Sequence, residues 1–133
     1  MTLQQLIHNA WQTRRPLLKR IPPEFLTYSY SPFERLPRAV FTIKDQTVAA
    51  RTNCGAAAEK AVVRFTILET SFTDALGTVN LMRDVYGNKA FDLVENRKSA
   101  VFALNNFTIT HDNNQWIAVV NFDVTIFTYN PQI

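Results

Sequence analysis

The chain has 133 residues, a net charge of +3, and a composition in which 47% of residues are hydrophobic and 19% charged. These values predict one folded domain over residues 1–133 and exclude a disordered chain. Cys54 is its one cysteine, so no disulfide can form within the chain. The sequence has no apolar run near the roughly 20 residues that span a bilayer and shows no signal peptide. We therefore expect the chain to be made in the cytoplasm without membrane contact.

The first predicted element is a helix that begins at Thr2, where Gln5 three residues later completes a capping box. An apolar stripe at helical spacing follows it, formed by Leu3, Leu6, Ile7, Ala10 and Trp11. Pro16 is expected to stop this pattern. Residues 16–37 hold five of the six prolines, so we expect an ordered, packed loop there, with a short edge strand within 26–30.

Two strands are predicted next. Residues 38–47 alternate in polarity, with Ala39, Phe41 and Ile43 on one side. Residues 49–58 are mostly small and are expected to form a long, projecting loop. The strand at 59–69 should place four residues on the core face, namely Ala61, Val63, Phe65 and Ile67.

A second helix is predicted to begin near Thr73 and to end at Gly87-Asn88, because glycine and asparagine favour the end of a helix. Gly77 lowers helix stability by about 1 kcal/mol relative to alanine, which indicates close packing at that position. A short strand at 91–94 and a turn at 96–99 should follow.

The last element is a hairpin over 100–129 with Asn113-Asn114 as its two-residue turn. That turn predicts paired residues whose numbers sum to 227, such as Phe122 with Asn105. One face is then almost wholly apolar, and the other is mixed. The residues of the mixed face that we expect at a subunit or partner interface are Phe102, Leu104, Val119, Asp123 and Phe127. The elements together predict an α+β domain, a mainly antiparallel sheet of four or five strands with two helices packed on one face.

Few residues indicate chemistry. Three glycines in the whole chain exclude a phosphate-binding loop and a nucleophile elbow. His8 and His111 are interpreted as packing residues and Cys54 as an incidental small residue, the minor alternatives being a catalytic or pH-sensing histidine and a reactive thiol. We expect no catalytic, cofactor or metal site and no enzymatic activity. The basic cluster within 14–20 is read as a solvated helix end, with contact to nucleic acid or an acidic partner as the alternative.

The order of these elements resembles the tail completion, or tail terminator, proteins of long-tailed bacteriophages and prophages. The likeness covers most of the chain and is one of pattern. A short N-terminal helix is followed by a proline-rich loop, a strand, a small-residue loop, a second strand, a helix and a closing aromatic-rich hairpin. The segments that carry the likeness are Leu36-Pro37-Arg38-Ala39-Val40-Phe41, residues 61–67, Asp74-Ala75-Leu76 and residues 120–127.

The resemblance implies a structural protein of the virion tail that caps the tail tube, ends its polymerisation and forms the surface that joins tail to head. It implies a ring of identical copies, contacts with the tail tube protein and the head–tail connector protein, and no cofactor. Arg51, Arg97 and Lys98 are candidates for lining a lumen and contacting passing DNA without sequence preference.

Two alternatives remain open at this point. One is a cone-shaped α+β domain that binds a small ligand or acts as an enzyme, with His111 or Asp123 as its polar group. The other is a different head–tail connector or minor tail component.

Overall fold

The structure, a computed structural model, describes residues 2–32, 34–52, 55–87, 89–93 and 98–128, although for 49–52, 55–57, 93 and 128 only the backbone is described. The helices in these ranges are α1 (Leu3–Trp11), α2 (Arg15–Arg20) and α3 (Phe72–Tyr86), with a 3-10 turn at Pro23–Phe25. The strands are β1 (Leu26–Tyr28), β2 (Arg38–Thr52), β3 (Gly55–Glu69), β4 (Ala90–Leu93), β5 (Lys98–Asp112) and β6 (Gln115–Thr128). No helix within the described ranges is long and apolar enough to cross a membrane.

The six strands form one sheet in the order β1-β2-β3-β6-β5-β4. β1 runs parallel to β2, and every other neighbouring pair is antiparallel. The α+β class and the mainly antiparallel sheet are confirmed, whereas the predicted four or five strands and two helices are too few for the described residues. Pro16 explains the additional helix α2. It lies in the first turn of that helix, where backbone amides have no partner within the helix, so a proline without an amide is tolerated there.

Helix α1 begins as its sequence predicts. The amide of Gln5 donates to Oγ1 of Thr2 over 3.1 Å, and the amide of Thr2 donates to Oε1 of Gln5 over 2.9 Å. This reciprocal pair satisfies two amides that the first helical turn leaves without partners. The predicted apolar stripe of α1 is buried, and it packs into the core that the helices form with the sheet.

The core is built around aromatic rings. The ring centroid of Phe65 on β3 lies 5.3–6.1 Å from those of Trp11, Phe41, Tyr86 and Phe122, separations at which aromatic pairs attract. Tyr86 of α3 also donates its hydroxyl to the carbonyl of Ile7 on α1 over 2.6 Å. These contacts fix the helices to one face of the sheet.

Helix α3 has the predicted boundaries within one residue. Ser71 caps its start by accepting from the amide of Asp74, and Gly87 ends it. A side-chain carbon added at Gly77 would lie 3.0 Å from Nη1 of Arg20. The expectation of close packing at this glycine is therefore confirmed.

The predicted loop at 49–58 is wrong over its described part. β2 continues to Thr52, and β3 starts at Gly55, so the two strands form a long hairpin with shifts in register after Lys44, Val48 and Ala50. Small residues do not prevent strand formation where the neighbouring strand supplies hydrogen-bond partners. Asn53 and Cys54 lie outside the described residues.

The β5–β6 hairpin follows its predicted register only near the turn. Asn113 and Asn114 have φ of 49° and 61°, as a type I′ turn requires, and pairs sum to 227 as far as Asn106 with Asn121. A β-bulge at Asn105 then shifts the register by one, so that Phe122 pairs with Leu104, and Val124 with Phe102. The predicted pairs of Phe122 with Asn105 and of Val124 with Ala103 are therefore wrong.

Candidate assembly surface

The helices pack on one face of the sheet, and the side chains on its other face form a surface that we call the open face. Valine, isoleucine and threonine alternate there with amides and charges, typical of a sheet face that another surface can cover. The strand registers assign to it, among others, Val40, Val62, Arg64, Thr66, Thr108, Ile117, Val119, Asn121, Asp123 and Phe127.

Three of the five predicted interface residues lie on the open face. Val119 is half-buried among its strand neighbours, Asp123 is exposed, and Phe127 is 46% exposed. Phe102 and Leu104 do not lie there, because the bulge at Asn105 turns both toward the helices. Phe102 is fully buried, and Leu104 packs against the core, so the prediction that they share the mixed face is wrong.

A belt of polar side chains crosses the middle of the open face. Nε of Arg64 on β3 donates to Oδ1 of Asn121 on β6 over 2.9 Å, and Nδ2 of Asn121 donates to Oδ1 of Asn106 on β5 over 2.8 Å. Beside this belt, Nδ2 of Asn105 donates to Oδ2 of Asp123 over 3.1 Å. The bulge brings Asn105 into this network, whereas Asn106 faces Asn121 in the predicted register as well.

Charge is distributed unevenly across the open face. Four cations lie on β2 and β3, at Arg38, Lys44, Lys60 and Arg64, with one carboxylate among them, Asp45 of β2. The carboxylates on the other strands are Asp92, Asp112 and Asp123. The sheet therefore has a positive side and a negative side. A surface arranged in this way favours the charge-complementary approach of a partner.

A shallow cleft of about 290 Å³ opens where the bulge of β2 turns away from β3, and Asp45, Lys60 and Asp123 are among its lining residues. Asp45 has φ of 54°, a left-handed conformation that aspartate tolerates better than most residues. The cleft joins the two charged sides of the open face.

Of the three residues predicted to line a lumen, only Lys98 has a side chain within the described part of the structure. Lys98 is half-buried, and its Nζ lies 3.6 Å from Oε2 of Glu59, so its charge is already paired within the chain. Arg51 is described only as a position on β2, and Arg97 lies outside the described residues. Their contact with DNA remains a prediction.

The two histidines make the local contacts expected of packing residues. Nε2 of His8 lies 2.9 Å from the carbonyl oxygen of Pro23, and its Nδ1 lies 3.2 Å from Nε2 of Gln12. The ring of His111 lies 4.7 Å from that of Trp116, centroid to centroid. Cys54 lies outside the described residues.

Sequence reasoning missed one buried carboxyl group. Glu69 is 2% exposed, and its Oε1 accepts from the hydroxyl of Thr78 over 2.7 Å. Burial raises the pKa of this carboxyl above its ordinary value of 4.5, against the opposing effects of the Thr78 hydrogen bond and the charge of Arg20. A signal was present, because Glu69 continues the alternation of Ala61 to Ile67 onto the core face.

Comparison with known proteins shows a shared fold. No protein-family model matches the chain, and no curated protein is similar to it in sequence. A solved protein whose function its description does not state matches 98% of this chain and 99% of its own, at a TM-score of 0.68 and 11% identity. A chain in the virion of a native gene transfer agent particle matches over 76% of this chain and 78% of its own, at a TM-score of 0.56 and 13% identity.

Proposed function

We propose that this protein is a structural, non-catalytic component of a phage-like particle. It assembles as a ring of identical copies at the end of a tail tube, ends the polymerisation of the tube and provides the surface that joins tail to head. Its partners are further copies of itself, the tail tube protein and the head–tail connector protein, and its place is the virion tail.

The observation that supports this proposal most is the fold shared with a chain of a gene transfer agent virion over three quarters of both chains. The order of elements points the same way, because it resembles that of tail completion proteins. At 13% identity, the fold is what the two chains have in common.

The open face suits a protein that works by association. A ring needs two different patches on each copy, which meet on neighbouring copies. The described helices all lie on the opposite side of the sheet from the open face. The aliphatic rows around the Arg64–Asn121–Asn106 belt offer apolar area together with oriented hydrogen-bonding groups. Such a combination gives both affinity and a fixed register.

Contact with DNA is a secondary part of the proposal. DNA passes through the particle end that such a ring would surround, and Lys44, Lys60 and Arg64 lie on one side of the open face. Cations in this position contact phosphates without reading sequence, so the contact weakens as salt concentration rises.

The test is electron microscopy of particles produced with and without this protein. Removing the gene is expected to give tubes of uncontrolled length that lack heads, and restoring it is expected to give tails of uniform length. Tails of normal length with normal head joints in its absence would contradict the proposal.

A matched pair of variants tests the open face itself. Val119→Lys places a charge among the aliphatic residues of this face and is expected to remove length control, whereas Gln4→Lys adds the same charge to the exposed surface of α1 and is expected to have no effect. Circular dichroism of both purified variants checks that they are folded.

A further inference from the structure

Two strand edges of the sheet are paired along only part of their length by described residues. β1 covers β2 only at Ala39–Phe41, which leaves the outer edge of β2 open over residues 42–52. β4 covers β5 only at Lys98–Val101, with one more bond from the amide of Phe102 to Lys89, which leaves β5 open over residues 103–112. The two open segments are similar in length and lie on opposite sides of the sheet.

Beyond the bulge at Asn105, the β5 edge lacks the features by which proteins protect an edge strand. Residues 103–111 include no lysine, proline or carboxylate, although charged residues and prolines are the usual means of preventing edge-to-edge pairing. The pairing with β6 is regular from Asn106 to Asp112. An uncharged, regular edge of this kind is a template for a further strand.

The turn of the hairpin shows which groups a further strand would meet. In a hairpin with a two-residue loop, the residues flanking the loop exchange hydrogen bonds, and the pairs then alternate along the strands. Asp112 and Gln115 flank the loop here. The amides of Phe107, Ile109 and His111 therefore point away from β6, toward the open edge.

The positions of the two open edges fit a closed ring. The open segment of β5 is centred near Phe107, which lies level with Phe65 on β3 through their shared partner Val120. The open segment of β2 is centred near Thr47, which pairs with Lys60 on β3. Measured along β3, from Phe65 to Lys60, the stagger is about 17 Å, at roughly 3.3 Å per residue. Four strands at roughly 4.8 Å each span about 19 Å. A stagger of this size per copy inclines the strands by about 40° to the axis of the ring, within the tilt that closed barrels require.

Strand direction and charge support the same join. β2 is antiparallel to β3, β3 to β6 and β6 to β5, so the β2 of a neighbouring copy in the same orientation is antiparallel to β5. The join also brings the positive side of one open face, with Lys44 at its edge, beside the negative side of the next, with Asp112 at its edge. The bulges of β2 increase the local twist, as in the strands of closed barrels.

We propose that the open edge of β5 pairs with the open edge of β2 in a second copy of this chain, so that copies join head to tail into one continuous, closed sheet. This proposal rests on the ring of the proposed function and identifies the contact that builds it. Each copy uses each edge once, so a closed ring leaves neither edge exposed. Pairing of β5 with β5 across a two-fold axis would leave both β2 edges open.

Cysteine crosslinking tests the join. Thr47 and Thr108 are exposed and lie on the open face at the two edges. Chains carrying Thr47→Cys and chains carrying Thr108→Cys, both with Cys54→Ser to remove the native thiol, are mixed and treated with a short dithiol-reactive crosslinker. A mixed 47–108 dimer is expected, and the doubly substituted chain is expected to give a ladder that ends at the size of the ring.

The control replaces Thr47→Cys with Thr66→Cys, which lies on the open face of β3 away from either edge and is expected to give no crosslink with position 108. Native mass spectrometry gives the oligomeric state of each sample. A ring without the 47–108 crosslink, or with 108–108 crosslinks in its place, overturns the edge pairing and leaves the proposed function standing. A chain that stays monomeric both alone and with tail tubes overturns both.

Discussion

The hydroxyl of Thr78 on α3 donates to Oε1 of Glu69 at the end of β3 over 2.7 Å, and both side chains are buried. The same hydroxyl lies 3.0 Å from the carbonyl oxygen of Asp74. Arg20 of α2 in turn donates to that carbonyl oxygen over 2.7 Å. One polar network thus joins α2, α3 and the sheet, and Glu69 and Thr78 are its buried members.

Glu69→Gln is expected to raise the melting temperature at pH 7. Burial raises the pKa of this carboxyl in the folded chain above 4.5, so the folded state binds the proton more tightly than the unfolded state. The contribution of this carboxyl to stability is therefore fully present below its pKa in the unfolded chain and is lost as pH rises through the raised pKa. Glutamine keeps the acceptor for Thr78 and carries no charge, so the gain should be present at pH 7 and should shrink toward pH 4.

Thermal unfolding followed by circular dichroism at both pH values makes this measurement. Glu24→Gln, the same change at an exposed position, serves as the control and is expected to alter the melting temperature little. An equal gain from Glu69→Gln at both pH values, or a loss at pH 7, would contradict the argument.

Tyr86→Phe is expected to lower the free energy of unfolding by about 1 kcal/mol, the typical net value of one hydrogen bond. The hydroxyl that bonds the carbonyl of Ile7 over 2.6 Å is lost, whereas the ring contacts with Phe65, Phe102 and Phe122 remain. Urea denaturation gives the value. Tyr28→Phe removes a hydroxyl from a residue that is 39% exposed, and a loss as large as that of Tyr86→Phe would argue against a role for the buried bond.

Most of the fold was predictable because its signals are local. The capping box at Thr2, the stripe of α1, the alternation from Ala61 to Ile67 and the turn at Asn113-Asn114 each follow from residues close together in sequence. The edge strand predicted within 26–30 is β1. α2 was missed because it is short and lies among prolines, so its stability comes from neighbours distant in sequence.

The candidate surface was predictable only in part, because one extra residue reverses the faces of a strand. The bulge at Asn105 cannot be read from the sequence Asn105-Asn106 alone, since it forms where polar side chains bond across to Asn121 and Asp123. Val119, Asp123 and Phe127 lie on β6, which has no bulge, and were placed on the correct face. Phe102 and Leu104 lie beyond the bulge on β5 and were placed on the wrong face.

Phe102→Ala and Phe127→Ala are expected to separate stability from assembly. Phe102 is fully buried with its ring against Tyr86 and Phe122, and its truncation should lower the free energy of unfolding by about 3–5 kcal/mol. Phe127 is 46% exposed on the open face, and its truncation should change the stability of the single chain by less than about 0.5 kcal/mol. Chemical denaturation of each variant makes the comparison.

An assembly assay then tests the role of Phe127 on the open face. Phe127→Ala is expected to shift the sedimentation profile toward smaller species at equal concentration, because it removes apolar area from the open face of a folded chain. A Phe127→Ala chain that unfolds like Phe102→Ala, or that assembles like the original chain, would show that this side chain is not part of the assembly surface.

Gly77 and Arg20 are expected to be energetically coupled. Nη1 of Arg20 donates to the carbonyl of Asp74 over 2.7 Å and lies 3.0 Å from the position of an added carbon at Gly77. Alanine favours a helix by about 1 kcal/mol over glycine. Gly77→Ala should therefore stabilise an Arg20→Ala chain by about that amount, and should stabilise the original chain by less because the guanidinium must move. A double-mutant cycle of urea denaturations gives the difference. Equal gains in the two backgrounds would show that the guanidinium moves aside freely, so that it does not hold this contact in solution.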